Sequence, residues 1–257
     1  MYSLFQRLVS HRYRLWLRLS ERARRSRGPY REMPAHDLPA MTPEQSRRIA
    51  VLQRTYQAKF EATLTAATSI KNYEYLDVLD RGFSAGGLGR PAGGVVCDVG
   101  CANFWYAQAL QGFFRPASLV GMDVEGYRLY RDGHTRIDYA AGYLADMPNA
   151  RFEVADYLGA DLRADVITAW FPFVTATAIL AWRLPLSLLR PEALFLRIRR
   201  NLNADGMFVM VNHGSEEAAR AAALCDAAGL RRLCEFVHCG ALSAYRPVPP
   251  VLSCWRA

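Results

Sequence analysis

Lysine is nearly missing from this chain: of 32 basic residues only Lys59 and Lys71 are lysines, and the rest are arginines. So lopsided a ratio reflects coding bias more than chemistry, and arginine clusters carry correspondingly little weight. Paired cysteines are missing too. The six cysteines stand at 97, 101, 225, 234, 239 and 254 and form no C-x-x-C pair, so no metal site is expected. Buried, reduced thiols in a cytoplasmic protein are the expectation instead. No long apolar run is present. The longest uncharged stretch, Val166 to Trp182, touches the lower limit for a spanning helix but contains Pro172. Arg or His recurs every few positions in the first 27 residues, so no secretory leader is expected. Net charge is small beyond that segment. Residues 1–27 hold eight Arg against one Glu, which leaves about +1 of the net +8 for everything after them. That argues against nucleic acid as a partner. Apolar residues are plentiful: the 257 residues are 51% hydrophobic and 12% aromatic, which excludes a disordered chain and suffices for a sizeable core.

Three regions follow from the patterning. Residues 1–41 comprise a basic amphipathic helix and a Pro-rich linker (Pro29, Pro34, Pro39). At 100° per residue, Leu4, Phe5, Leu8, Leu15, Trp16 and Leu19 fall in one arc, with Arg7, Arg14 and Arg18 opposite. Two readings stay open for this helix: peripheral contact of residues 1–27 with an anionic membrane, or packing on its own domain. Arg12, inside the apolar arc, favours packing, because a protein surface can offer it a carboxylate. Residues 42–93 read as a helical extension or lid with a Gly-rich joint. Thr42-Pro43-Glu44-Gln45 is a helix start, with Thr as cap, Pro at the first position and Gln reaching back. Ile49, Leu52, Tyr56, Phe60 and Leu64 continue at helical spacing, a short helix is expected over 73–79, and Gly82 to Gly94 is the joint.

From residue 94 onward, β-rich runs alternate with helical segments. Strands are expected at 94–99, 118–123, 151–155, 165–170 and 206–211. The intervening helices are expected through Phe113, over 126–145, up to Asn201, and over 215–228. This is a doubly wound, mostly parallel α/β sheet, which binds ligands at the carboxyl ends of its strands. Acids recur at those ends: Asp98, Asp123 and Asp156. An acid at the second strand end suits a ribose diol, whereas an acid beside the first Gly turn repels a pyrophosphate. A nucleoside without phosphates is favoured.

In this pattern the chain resembles the class I S-adenosylmethionine-dependent methyltransferases. Val95-Val-Cys-Asp98-Val-Gly100-Cys101 looks like their first motif, which holds the methionine part of the cofactor. Gly121-Met-Asp123 resembles their ribose-binding acid, and Val154-Ala-Asp156-Tyr157 the acid that meets the adenine amino group. Asp165 to Trp170, the Gly206 turn, and the runs 231–238 and 251–255 are similar to the fourth strand, the turn before the fifth and the closing antiparallel hairpin. The resemblance spans about residues 94–256. It implies a Rossmann-like, seven-stranded fold, S-adenosylmethionine as cofactor, and cofactor contacts from Asp98, Gly100, Cys101, Ala102, Asp123, Glu125, Asp156, Tyr157 and Trp170.

Two departures from the family stand out. Ala102 and Phe104 occupy positions where the family's Gly-rich loop has its second and third Gly, so Asn103 is expected to take up a left-handed turn. The fourth strand ends Trp170-Phe171-Pro172-Phe173, without the polar residue of amide- or base-methylating members. Aromatic faces there suit the sulfonium or an apolar acceptor. Because basic charge outside residues 1–27 is slight, a small or lipid-linked acceptor is expected, methylated on O or N, with His213 as the candidate base. The competing reading is a non-enzymatic relative that binds a membrane or protein partner through its N-terminal helix.

Overall fold

The computed structural model describes residues 2–243 and 247–257. Seven strands form one sheet: β1 (Val95–Val99), β2 (Ser118–Asp123), β3 (Ala150–Val154), β4 (Ala164–Trp170), β5 (Leu202–His213), β6 (Arg231–Val237) and β7 (Pro250–Arg256). Their order is β3-β2-β1-β4-β5-β7-β6, and only β7 runs antiparallel to its neighbours. Strand order reverses between β1 and β4, which opens a crevice at their carboxyl ends. Helices α1 (Leu4–Ala23), α2 (Pro43–Tyr56), α3 (Ala66–Ala85), α4 (Ala107–Phe114), α5 (Arg136–Tyr143), α6 (Ala176–Ala181), α7 (Pro191–Asn201) and α8 (Gly214–Ala227) complete the chain.

Each face of the sheet carries its own core. On one, Leu76, Leu79 and Phe83 of α3 pack with Leu110, Phe113 and Phe114 of α4 and with Val96, Val209 and Leu252 of the sheet. On the other, Phe195 and Ile198 of α7 and Ala221 and Cys225 of α8 pack on Ile167, Phe208 and Met210. Helices α2 and α3 thus share the core of the sheet.

Several elements differ from the sequence reading, each for a local reason. The capping box at Thr42 and Gln45 starts α2 as expected, but α2 stops at Tyr56 because Gln57 turns left-handed, with φ 54°. The helix expected over 73–79 is the middle of a 20-residue helix capped by the Thr65 hydroxyl. Gly82 lies inside it rather than in the joint: a Cβ there would stand 2.8 Å from Leu252, so glycine lets α3 press against β7. The helix after β2 shrinks to α5, where Thr135 and Asp138 form a reciprocal cap. The stretch after β4 breaks at Arg183 and Pro185 into α6, a single 3-10 turn and α7. Of the cysteines, Cys239 is exposed and Cys234 half-buried; the other four are buried.

The Pro-rich segment after α1 is a strap rather than a free linker. Ser26 donates to Asp138, and the Tyr30 N–H donates to the Asp138 carbonyl at 2.9 Å. Glu32 accepts from Thr65 N at 2.8 Å and from Tyr143 Oη at 2.9 Å. Gly142 makes the crossing over α5 possible, since a Cβ on it would fall 1.6 Å from the Tyr30 carbonyl oxygen.

Candidate functional site

At the end of β1 the chain turns sharply. Gly100 has φ +75°, and its N–H and that of Cys101 both donate to the Met122 carbonyl, at 2.8 and 3.2 Å. A Cβ built on Gly100 meets nothing within 4 Å, so this turn presents bare backbone to open space. Ala102 and Phe104 then adopt φ 54° and 57°. The left-handed conformation expected at Asn103 therefore falls on the two residues that stand in place of glycine. Phe104 tolerates the strained backbone because its fully buried ring fills the space over Gly121, where a Cβ would meet it at 2.6 Å.

Asp123, at the end of β2, organises this turn. Its Oδ2 accepts from Ala102 N at 2.8 Å, and its Oδ1 accepts from Glu125 N at 2.8 Å and Arg136 Nη1 at 2.9 Å. A carboxylate offers about four acceptor positions. Three are taken by the chain itself, and one remains. Arg136 is buried and reaches Glu125 at 3.0 Å as well, while Arg128 holds Glu125 at 2.9 Å. Burial pushes the Glu125 pKa up, and the two guanidiniums oppose that shift.

Around these residues lies a cavity of about 370 Å³. Gly100, Cys101, Ala102, Asp123, Asp156, Tyr157, Trp170 and His213 all line it. Asp98 and Glu125 do not. Asp98 is fully buried behind the wall, its oxygens taken by the hydroxyls of Thr168 and Tyr106, the latter at 2.5 Å. Burial, reinforced by the charge of Asp123, raises its pKa to about 7 against the pull of the two hydroxyls. Glu125 is turned away by its arginines and lines a second cavity beside α1. Asp156 pairs with Arg190 and accepts from Leu158 N at 3.0 Å, and Tyr157 is buried against the α7 side of the core.

The aromatic wall was only partly legible in the sequence. Trp170 stacks on Tyr75 at 3.9 Å, and Trp105 and Tyr106 close on Tyr75 at 4.8 Å each. Tyr75 comes from α3, some 95 positions before its partner Trp170, so no local spacing could announce the pair. Phe171, held at φ 57°, stacks face to face on His213 at 3.8 Å. Ile179, Leu184 and Leu188 supply an apolar far wall.

No protein-family model matches the chain, and no curated protein matches it by sequence. Solved structures do resemble it. A geranyl diphosphate C-methyltransferase from Streptomyces coelicolor A3(2), in complex with Mg2+, geranyl diphosphate and S-adenosyl-L-homocysteine, aligns over 89% of each chain with a TM-score of 0.50 at 11% identity. The N-methyltransferase NodS from Bradyrhizobium japonicum WM9, in complex with S-adenosyl-L-homocysteine, aligns over 81% of this chain and 97% of its own, with a TM-score of 0.50 at 12% identity. Likeness at such identities is a likeness of fold. With its parallel sheet, its single reversed strand and its crevice between β1 and β4, the chain has the fold of the class I S-adenosylmethionine-dependent methyltransferases.

Proposed function

We propose that the chain is an S-adenosylmethionine-dependent methyltransferase acting on O or N of a small or lipid-linked acceptor. The observation that carries this reading is the single cavity at the β1–β4 crevice, where the bare Gly100 turn, the Asp123 carboxylate and an aromatic wall converge. The cofactor fits those residues. Gly100 to Ala102 offers backbone without side-chain obstruction, Asp123 keeps one acceptor position for a ribose hydroxyl, and Asp156 lies on the rim within reach of an adenine. The cofactor supplies an electrophilic methyl group on a sulfonium. Tyr75, Trp105, Tyr106 and Trp170 all line this cavity, and an aromatic face turned to the sulfonium attracts its positive charge. Asp98 acts as a brace in this reading, fixing the Tyr106 ring through its hydroxyl.

The acceptor side is apolar. Phe171, Phe173, Ile179 and Leu184 exclude water, and positioning of the nucleophile in line with the methyl group supplies most of the rate. Among the described residues His213 is the one imidazole on the cavity wall, and its stacking on Phe171 fixes the plane of the ring. From there it accepts a proton from an acceptor hydroxyl.

Calorimetric titration with S-adenosylmethionine and S-adenosyl-L-homocysteine tests the reading. Both are expected to bind, and Asp123→Ala is expected to weaken binding by about 1.5–3 kcal/mol, the range for a hydrogen bond to a charged group. Folded protein that binds neither would overturn it.

A further inference from the structure

Helix α1 meets the domain with the wrong face for a packed amphipathic helix. Its contact stripe is Val9, Ser10, Tyr13 and Leu17, and the Ser10 hydroxyl accepts from Leu186 N at 2.9 Å. The apolar arc lies to one side of that stripe and is left in solvent: Leu4 is 75% exposed, Phe5 74%, Leu8 63% and Trp16 63%. Arg12 finds no carboxylate either; it, Arg25 and Arg183 make no ion pair among the described residues. The strap from Ser26 to Glu32 fixes the direction of the helix, so this exposed face has a set orientation on the molecule.

Two further apolar side chains extend the surface: Leu129 is 52% exposed and Trp182 46%. Between α1 and the 125–129 loop is a cavity of about 910 Å³, lined by Trp16 and Tyr127, by Arg12, Arg25 and Arg183, and by Arg128 with its ion-pair partner Glu125. Arg128 also donates to the Trp182 carbonyl at 3.1 Å, and Trp182 lines the cavity at the β1–β4 crevice. The two cavities therefore share a wall, and α1 packs on α6 and the 3-10 turn that close the apolar end of the inner one.

We infer that α1 lies on an anionic bilayer with its apolar arc toward the acyl chains, and that the arginine-lined cavity behind it receives the anionic headgroup of an amphiphile presented from that bilayer. This inference rests on the methyl-transfer reading only for what happens to the amphiphile afterwards. The excess of positive charge, whichever basic residue carries it, selects the occupant. Residues 1–27 carry eight Arg against one Glu, which suits anionic lipid. A second copy of the chain on the same face would bring those arginines against each other. No helix among the described residues is long and apolar enough to cross a membrane, so the contact is at the interface. Arg12, awkward in the acyl layer, projects beside the cavity, where a headgroup phosphate would lie.

The full chain is tested by co-sedimentation with vesicles of phosphatidylcholine alone and with about 30% phosphatidylglycerol added. It is expected to sediment with the mixed vesicles only, less so as salt shortens the screening length below about 8 Å. Phe5→Glu/Leu8→Glu, at two positions that line neither cavity, is expected to cut that binding at least about tenfold with melting temperature and S-adenosyl-L-homocysteine binding unchanged. Dodecyl phosphate is the probe for the headgroup. It is expected to bind more tightly than dodecyl maltoside or inorganic phosphate, and Arg12→Ser/Arg183→Ser is expected to erase the preference over the maltoside. Wild-type protein that ignores anionic vesicles, a double glutamate variant that sediments like wild type, or dodecyl maltoside binding as tightly as the phosphate would each overturn the inference. Vesicle binding without S-adenosyl-L-homocysteine binding would sink the methyl-transfer reading and leave this one standing.

Discussion

At the scale of single residues, the site depends on carboxylates whose roles are set by burial and not by position in the sequence. Asp98 lies near the end of β1, Asp123 ends β2 and Glu125 comes two residues later, yet of the three only Asp123 lines the inner cavity. Asp98 is held protonated more readily than an ordinary carboxyl because it is buried and has only two hydroxyls for company. Its folded-state pKa of about 7 exceeds the unfolded value, so its contribution to stability is complete in acid and is lost as pH rises through 7. Denaturation of wild type and Asp98→Asn at a series of pH values checks this. Wild type is expected to lose up to about 1.4 kcal/mol per pH unit, relative to the variant, between roughly pH 4 and 7. A cofactor cation near Tyr106 would favour the ionised form and release a proton on binding, visible as a buffer-dependent heat.

At the scale of elements, the positions of α1 and α3 matter more than their existence. Both helices have clear caps: Ser3 with Gln6 for α1, Thr65 for α3. What the caps do not tell is where each helix lies. The strap that positions α1 works because Gly142 leaves a channel for the chain at Tyr30. Gly142→Ala would drive a methyl group into the Tyr30 carbonyl, so the strap has to lift and lose the bonds from Ser26 and Tyr30 to Asp138. A loss of about 1–3 kcal/mol is expected in chemical denaturation, together with faster proteolysis between residues 24 and 42. Unchanged proteolysis would show that the strap does not run over α5.

For the whole molecule, the N-terminal helices and the C-terminal hairpin are joined by a buried polar network. Asp77 of α3, itself fully buried, accepts from Arg81 Nε at 3.0 Å and also from Arg48 of α2. Its other oxygen meets His238 Nε2 at 2.9 Å, and His238 Nδ1 meets the Ser243 hydroxyl at 2.9 Å. Burial works to raise the Asp77 pKa, but His238 and Arg48 together hold it below the ordinary carboxyl value. The stability it confers is present above the unfolded pKa and is lost as pH falls through the lowered one. Asp77→Ala leaves the buried His238 with Ser243 alone and Arg48 with Asp80 alone, and is expected to cost about 1–3 kcal/mol by thermal or urea denaturation. A loss below about 1 kcal/mol would mean that the two ends of the chain are not coupled through this network.

The alternation of strands and helices after residue 94 was readable because each element declares itself locally, by β-branched runs, turns and caps. So were the acids at the strand ends and the amphipathic character of residues 4–23. The sequence by itself therefore determined the α/β class, the order of the elements and the crevice where a ligand would sit. It did not determine which acid faces that crevice, since Asp98 and Glu125 are turned away by partners at 106, 168, 128 and 136. It did not reveal Tyr75 as the partner of Trp170, nor that Phe104 could keep a glycine's backbone by filling the space over Gly121. Least of all did it decide the face of α1, because helical periodicity shows that an apolar arc exists and is silent on whether the domain covers it. That was settled by contacts between residues far apart in the chain, Ser10 with Leu186 and Ser26 with Asp138, whose strength depends on geometry that only the folded chain creates.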